Sequence, residues 1–488
     1  MIRYAKRTAA ALLILALLGP VAGLPAALAA TTPPPLDITA RCRFTPSSHP
    51  YDFRRAVDGL LTTVWASDGV GKQSIAIAMP KGQSVSGVYL RWNDAQPDWN
   101  LYAVDASGHR ALCSSGGDDE QWLTEWAAVP AALSDCRNFV LESAREGQTL
   151  QVLELSVFCG GVPDYAPRWQ RYDGKPIDTM VIACHPDDED LYMGPMIPQS
   201  VHEGHSRNLV VTMTYVSARR RVEVSESDWL LGQSFYPALR RAIDVKTSSR
   251  SQAQVYWPLD ATEGYLVEQI RKYRPSIIAT HDLNGEYGHG AHRATGYAAT
   301  LAFRDAADPA KYPASARRYG VWKAAKLYVH LYRGNPIALD AGKAVDAYGD
   351  RTIAQVVSAA YARHKSQLPG RALPYSGSRY DMQRFGLFDT RVGPDTHGDR
   401  LYDNVTPQAM ARLNPQNDNP RQMAQPAASA QAALAATAPP NAPGQAVAAA
   451  ILPAAALPRW WMLLAALALL MLASGIWLAL RRRGVKRR

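Results

Sequence analysis

The stretch VIACHPDDEDLYMG, Val181 to Gly194, sets one histidine and four acidic residues directly behind an apolar run. Val181, Ile182, Ala183 and Cys184 have the unbroken apolarity of an inner strand, and Pro186 keeps a helix from starting at once. The charges therefore fall at the carboxyl end of a strand. In open α/β sheets that is where ligand crevices form, so the stretch reads as a site and not as a solvated loop. Cys184, one residue before the histidine, reads as a packed thiol of the strand end and Glu189 as support for the loop.

Outward from this stretch, residues 178–332 alternate between strand-like and helix-like segments. DTMVIAC, RNLVVTMTY, AQVYW and SIIATHD are predicted strands, while SDWLLGQSFYPALRRAI and TEGYLVEQIRKY carry apolar positions at helical period. The expected fold is a Rossmann-like layered α/β sheet. Two of its strands, ending at Cys184 and near Thr280, run into clusters of histidine and carboxylate, HPDDED and HDLNGEYGHGAH. One metal site built from both clusters is the expectation. A hydrolytic zinc centre takes three nitrogen or oxygen ligands and leaves a position for water, which loses a proton near neutral pH if a carboxylate can receive it.

HPDDE behind a strand, followed about a hundred residues later by YGHGAH, resembles the PIG-L or LmbE family of zinc-dependent N-deacetylases. With the closing segment FGLFDTRVGPDTHGDRLYDN, the resemblance defines a domain over residues 176–405. It implies one Zn2+ per chain held by His185, Asp188 and His292, with Asp187 as general base. His289 is then the group that polarises the amide oxygen, assisted by Tyr287. Many members carry Asp directly before the last histidine where this chain has Ala291, so a carboxylate partner for His289 is expected from Asp282 or Glu286 instead. The charge run RRRVEVSESDW reads as a solvated face, although in this family the corresponding loop borders the substrate, which nominates Arg219 and Arg221 as substrate-binding residues.

Residues 37–160 have a different texture. Short apolar or alternating runs, SIAIAMP, SGVYLRW, DWNLYAV, FVLES and VLELSVF, are separated by Gly, Pro, Asn and Asp, which predicts an all-β sandwich ahead of the α/β domain. Four of the five cysteines fall here, and in an exported protein disulfides are the default. Of the three connectivities, Cys42 with Cys159 and Cys113 with Cys136 is the expected one. YDFRRAVDGLLTTVWAS and VSGVYLRW resemble the discoidin or F5/8 type C group of galactose-binding-like sandwiches. That resemblance makes Asp58, Gly59 and Trp65 structural, and Trp92, Trp99, Trp122 and Trp126 candidates for glycan contact.

The ends of the chain set the expected compartment. Arg3, Lys6 and Arg7 precede an apolar run closing near Ala27 and Ala29, the pattern of a signal peptide over residues 1–29. Residues 460–480 are uncharged, apolar and long enough for a transmembrane helix, and the basic tail 481–488 predicts a cytoplasmic C-terminus. Between them, residues 416–457 form an Ala/Pro-rich linker. The basic residues of the two ends, three in the signal and seven from Arg459 onward, account for the whole formal charge of +10. That excludes a basic nucleic-acid-binding body. The expected function is that of an exported, membrane-anchored zinc hydrolase that removes acetyl from an N-acetyl amino sugar of a glycan or glycoconjugate, with its large domains extracytoplasmic. The alternative is a surface carbohydrate-binding protein whose α/β domain holds metal without reacting.

Overall fold

The computed structural model describes residues 34–415, apart from residues 95, 118–120, 216 and 369–371. The expected signal peptide, linker, transmembrane helix and basic tail lie outside the described residues. Among the described residues no helix is long and apolar enough to cross a membrane.

The N-terminal part is a β-sandwich of two antiparallel sheets. One orders Leu36–Asp37, Gln151–Cys159, Val85–Trp92 and Thr124–Ala128, with Trp65–Ala66 paired to the second of these. The other orders Arg43–Pro46, Ser74–Ala78, Asn138–Ser143, Trp99–Val104 and Arg110–Gly116. Alternation drives the packing: in Ser74–Ala78 only Ile75 and Ile77 are buried, facing Leu101, Leu141 and Trp65 in one apolar core. Trp65 is fully buried and donates to the His49 carbonyl, and Gly59 holds φ +76° while its N–H donates to Glu154, so both are structural. Trp92 and Trp99 are not open to glycan. Both are buried and donate from Nε1 to the same Glu125 carboxylate at 2.8 Å. Trp126 packs on Phe158, 5.9 Å between ring centroids.

The two expected disulfides are not formed: Cys42, Cys113, Cys136, Cys159 and Cys184 are all thiols. The Cys42 Sγ is turned to the Ile38 carbonyl and the Met79 sulfur, and the Cys113 Sγ to the Ala111 carbonyl. The sandwich is held by its core instead.

The α/β part carries a seven-stranded sheet in the order Ala238–Ile243, Asn208–Tyr215, Thr179–Ala183, Ile277–Thr280, Lys326–His330, Arg384–Thr390, Pro336–Ala338. The first five strands are parallel, Arg384–Thr390 runs antiparallel to Lys326–His330, and Pro336–Ala338 runs antiparallel to Arg384–Thr390. Thr179–Ala183, Ile277–Thr280 and Lys326–His330 are buried at every position, as strands covered on both faces must be. From Thr179–Ala183 the chain steps outward to Asn208–Tyr215 and Ala238–Ile243, then returns to the other side at Ile277–Thr280. The order of strands thus reverses between the two strands whose ends bear the histidine clusters, which is where a crevice opens. The closing segment belongs to the same body, since the fully buried Lys326 reaches Asp395 and the Leu401 carbonyl.

Two segments differ from their predicted type. AQVYW is the end of the helix Arg250–Tyr256: Ala253 and Trp257, four apart, are buried while Val255 and Tyr256 face solvent. SDWLLGQSFYPALRRAI is not one helix. The helix Ala218–Leu231 stops at Gly232, with φ +103°, and after Pro237 the chain becomes the edge strand Ala238–Ile243.

The charge run on Ala218–Leu231 is not a solvated face either, because this helix docks the sandwich. Glu226 accepts from Arg91 Nε at 3.1 Å, from the Tyr89 hydroxyl at 2.8 Å and from Arg363 Nε at 2.7 Å. Arg221 reaches Asn93 O and Asp94. Removing one member of a buried ion network leaves the others uncompensated, at a cost of about 3–5 kcal/mol. Glu226→Gln should therefore lower the stability of the full-length protein by about 3 kcal/mol in chemical denaturation, whereas a loss under about 1 kcal/mol would mean that water reaches the cluster.

Candidate active site

Two strand ends assemble the site. Behind Thr179–Ala183 the chain turns at Pro186 and enters the short helix Asp188–Leu191, with Asp187 at φ +117°. A non-glycine residue in that region is strained, and its neighbours hold it: the Asp187 N–H donates to Glu189 Oε2 at 2.9 Å and its carboxylate meets Arg220 Nη2 at 3.1 Å. Behind Ile277–Thr280 come His281 and Glu286, then His289 at the start of the helix Gly290–Asp305, whose first turn contains His292. Gly290 is required there because a Cβ would lie 2.3 Å from the Ser249 carbonyl.

His185, Asp188 and His292 converge. Asp188 Oδ2 lies 2.9 Å from His185 Nδ1 and 3.3 Å from His292 Nε2, and those two nitrogens are 3.2 Å apart. Cys184 Sγ is 3.7 Å from His185 Nε2, on the same group of donors. Burial alone would raise the Asp188 carboxyl, but His292 and His185 hold it well below the usual carboxylate range. Burial would lower His292, yet Asp188 and Glu286 outweigh it and bring its pKa up to about 10. A locus that binds protons so tightly on a histidine calls for positive charge, and with two imidazole nitrogens and one carboxylate within bonding distance of a common point it suits a divalent cation of the zinc class.

Glu286 organises the rings. It is fully buried, and its Oε2 faces His281 Nδ1 at 2.8 Å and His292 Nδ1 at 2.7 Å while its Oε1 faces His330 Nδ1 at 2.7 Å. Burial would push the Glu286 carboxyl up, but His281 and the hydrogen bonds from all three rings hold it well below its ordinary value. This orients His292 with Nδ1–H toward Glu286 and turns its Nε2 toward Asp188. On the other side Asp244 Oδ1 stands 3.3 Å from His185 Nε2.

His185, Asp188 and Asp244 line a cavity of 660 Å³ together with Asp187, Tyr192, Arg220, Tyr287 and His289. Burial, then the Asp188 charge, raises the Asp187 carboxyl to about 7 against the opposing Arg220. Burial, with His292 and His185 beside it, lowers His289 to about 4. Its Nδ1 has no hydrogen-bond partner among the described residues. Neither Asp282 nor Glu286 serves His289, since the Asp282 carboxylate accepts from Asn284 and Glu286 is taken by the other rings. Tyr287, 42% exposed, stands 5.5 Å from His289 between ring centroids.

The two arginines nominated for substrate are directed elsewhere. Arg219 pairs along its own helix with Glu223 at 2.9 Å, and Arg221 points to the sandwich. Successive helical residues diverge by about 100°, so only Arg220 faces the cavity. Sequence reading also passed over Asp244, Lys246, His281 and His330. For His281 the signal was present, as the first residue of the second cluster; Asp244 and Lys246 follow a strand that had been read as helix.

Residues 180–303 match the family model described as PIG-L, GlcNAc-PI de-N-acetylase. Over these residues the α/β segment is similar to that de-N-acetylase family. Among curated relatives the chain is 27% identical over 197 residues to 1D-myo-inositol 2-acetamido-2-deoxy-alpha-D-glucopyranoside deacetylase 1 of Catenulispora acidiphila, covering 35% of this chain and 58% of that one. It is 30% identical over 166 residues to the mycothiol S-conjugate amidase of Streptomyces coelicolor, covering 28% of this chain and 55% of that one. The chain therefore spans somewhat over half the length of these relatives. A solved family 32 carbohydrate-binding module from Clostridium perfringens aligns over 25% of this chain and 98% of its own, at 18% identity and a TM-score of 0.23.

Metal-held histidines depend on the groups that orient them, and removing such a group weakens metal affinity by about 10–100-fold. Glu286→Gln puts an amide donor among three imidazole N–H groups. Competition with a chelator should show a divalent cation held more weakly by that factor, with the fold retained.

Proposed function

We propose that this protein is an exported, membrane-anchored zinc amidohydrolase that removes acetyl from a GlcNAc-type amino sugar of a glycan or glycoconjugate. The observation that carries the reading is the placement of Asp187 beside the His185, Asp188 and His292 cluster, in a cavity that His289 also lines. The names of the matched family and relatives, all acting on amide bonds, support it.

His185, Asp188 and His292 are the residues that hold the metal. Bound there, a zinc ion supplies Lewis acidity toward water and toward the amide oxygen. Asp187 takes the proton of the attacking water and returns it to the departing amine, so that the carbonyl carbon gains a C–O bond, the C–N bond breaks, and acetate and a free amino sugar leave. Arg220 keeps the Asp187 carboxylate turned to the cavity. His289 donates a hydrogen bond to the oxygen on which charge develops, with Tyr287 at the mouth beside it. Asp244 and Glu286 set which nitrogen of His185 and His292 stays free of a proton. Residues 1–29 direct export and residues 460–480 anchor the chain; both assignments rest on the sequence pattern.

Asp187→Asn should keep its zinc and lose turnover by about a hundredfold or more, since an amide cannot take the proton. Asp188→Ala should lose the zinc of the His185, Asp188 and His292 cluster together with activity. Zinc content and acetate release from N-acetylglucosamine-containing glycans are measured on the same samples. Full activity in Asp187→Asn would overturn the mechanism, and a zinc-loaded wild type that releases no acetate would favour the inert sugar-binding alternative.

The topology has its own check. Protease added to intact spheroplasts should digest the sandwich and the α/β domain, and their protection would exclude an extracytoplasmic placement.

A further inference from the structure

Behind the cavity a second group of ionisable side chains is sealed from solvent. Glu189 and Asp190 come from the helix Asp188–Leu191, Asp228 from the helix Ala218–Leu231, and His364 from just beyond the helix Ile353–Tyr361. All four are at most 1% exposed. His364 Nε2 lies 3.0 Å from Glu189 Oε1 and 3.2 Å from Asp190 Oδ2, and the ligand atoms of these three residues are all within 4.8 Å of one another. Such separations are those of neighbouring donors around one small cation, which at bond lengths of about 2.0–2.2 Å sit roughly 3–3.5 Å apart.

Hydrogen bonding leaves this group unsatisfied. Ser227 donates to Asp190 Oδ2 at 2.6 Å, and the Asp187 N–H donates to Glu189 Oε2. Asp190 Oδ1 and both carboxylate oxygens of Asp228 have no partner among the described residues. Asp228 faces the group closely enough that, after burial itself, the charges of Glu189 and Asp190 push its carboxyl well above the usual range. A cation seated among them would let all three carboxylates ionise together, since burying such charge without compensation costs several kcal/mol per ion.

We propose that Glu189, Asp190, Asp228 and His364 form a second divalent-cation site, distinct from the His185, Asp188 and His292 cluster. Three carboxylates and one imidazole suit a borderline cation such as zinc or manganese better than a soft one. The site is structural: it binds three helices to one another from within and, through the Glu189 carboxylate, fixes the backbone N–H of the strained Asp187. It touches no substrate.

The test is metal stoichiometry. Detergent-solubilised full-length protein is loaded with zinc, freed of excess and analysed by plasma mass spectrometry, with folding followed by circular dichroism. Wild type should hold two equivalents, and Asp228→Asn and His364→Gln one each. Asp188→Ala should also hold one, which separates this site from the catalytic proposal. A wild type with one equivalent that survives Asp228→Asn and is lost in Asp188→Ala overturns the second site and leaves the catalytic reading intact. One equivalent with the reverse behaviour supports the second site and removes the metal from the first. Should both new variants fail to fold, chelator titration of the wild type decides, two equivalents released supporting the site and one overturning it.

Discussion

A carboxylate with no exposed surface is tolerated only if the groups around it replace the water it has lost, and Glu286 meets that condition with three imidazoles. His281 comes from the end of one inner strand, His330 from the end of the next, and His292 from the helix that follows the loop. One side chain therefore ties together the elements that flank the topological switch. Because it occupies the Nδ1 side of His292, the Nε2 side is left toward Asp188. The ring geometry of the site follows from satisfying this single buried charge.

The helix Ala218–Leu231 serves two partners at once. Its three consecutive arginines diverge by the helical turn, Arg219 to its own Glu223, Arg220 to Asp187 and Arg221 to the sandwich. One turn later Glu226 binds Arg91 and Tyr89 of the sandwich together with Arg363. The docking surface and the cavity wall are thus opposite faces of one rigid element. Arg220 can hold Asp187 in a strained backbone conformation because the helix that carries it is itself pinned.

The same economy explains why so many charged residues are buried without being solvated. Glu189 supports Asp187 with one oxygen and meets His364 with the other, so the loop that carries Asp187 rests on the packed helices behind it. Strain at a functional residue persists only where the surroundings over-determine it, and here an ion pair, a side-chain acceptor and a helix start all act on Asp187.

The sequence by itself determined the two-part β then α/β order and the two strand ends that carry His185, Asp187 and Asp188 on one side and His289 and His292 on the other, because each cluster is local. An apolar run followed by Pro and acids marks a buried strand's end whatever surrounds it. Only the tertiary structure decided the rest. AQVYW and ALRRAI have patterns that fit either period over so few residues, and burial chose between them. Of three adjacent arginines the sequence offers no means to select Arg220, since the choice depends on where the sandwich packs. The cysteines lie in a core whose geometry left them as thiols, and the tryptophans nominated for glycan, Trp92 and Trp99, were drawn inside by the buried Glu125. Asp244, His330 and His364 reach the site or its support from distant segments, and a contact made by folding leaves no mark in spacing.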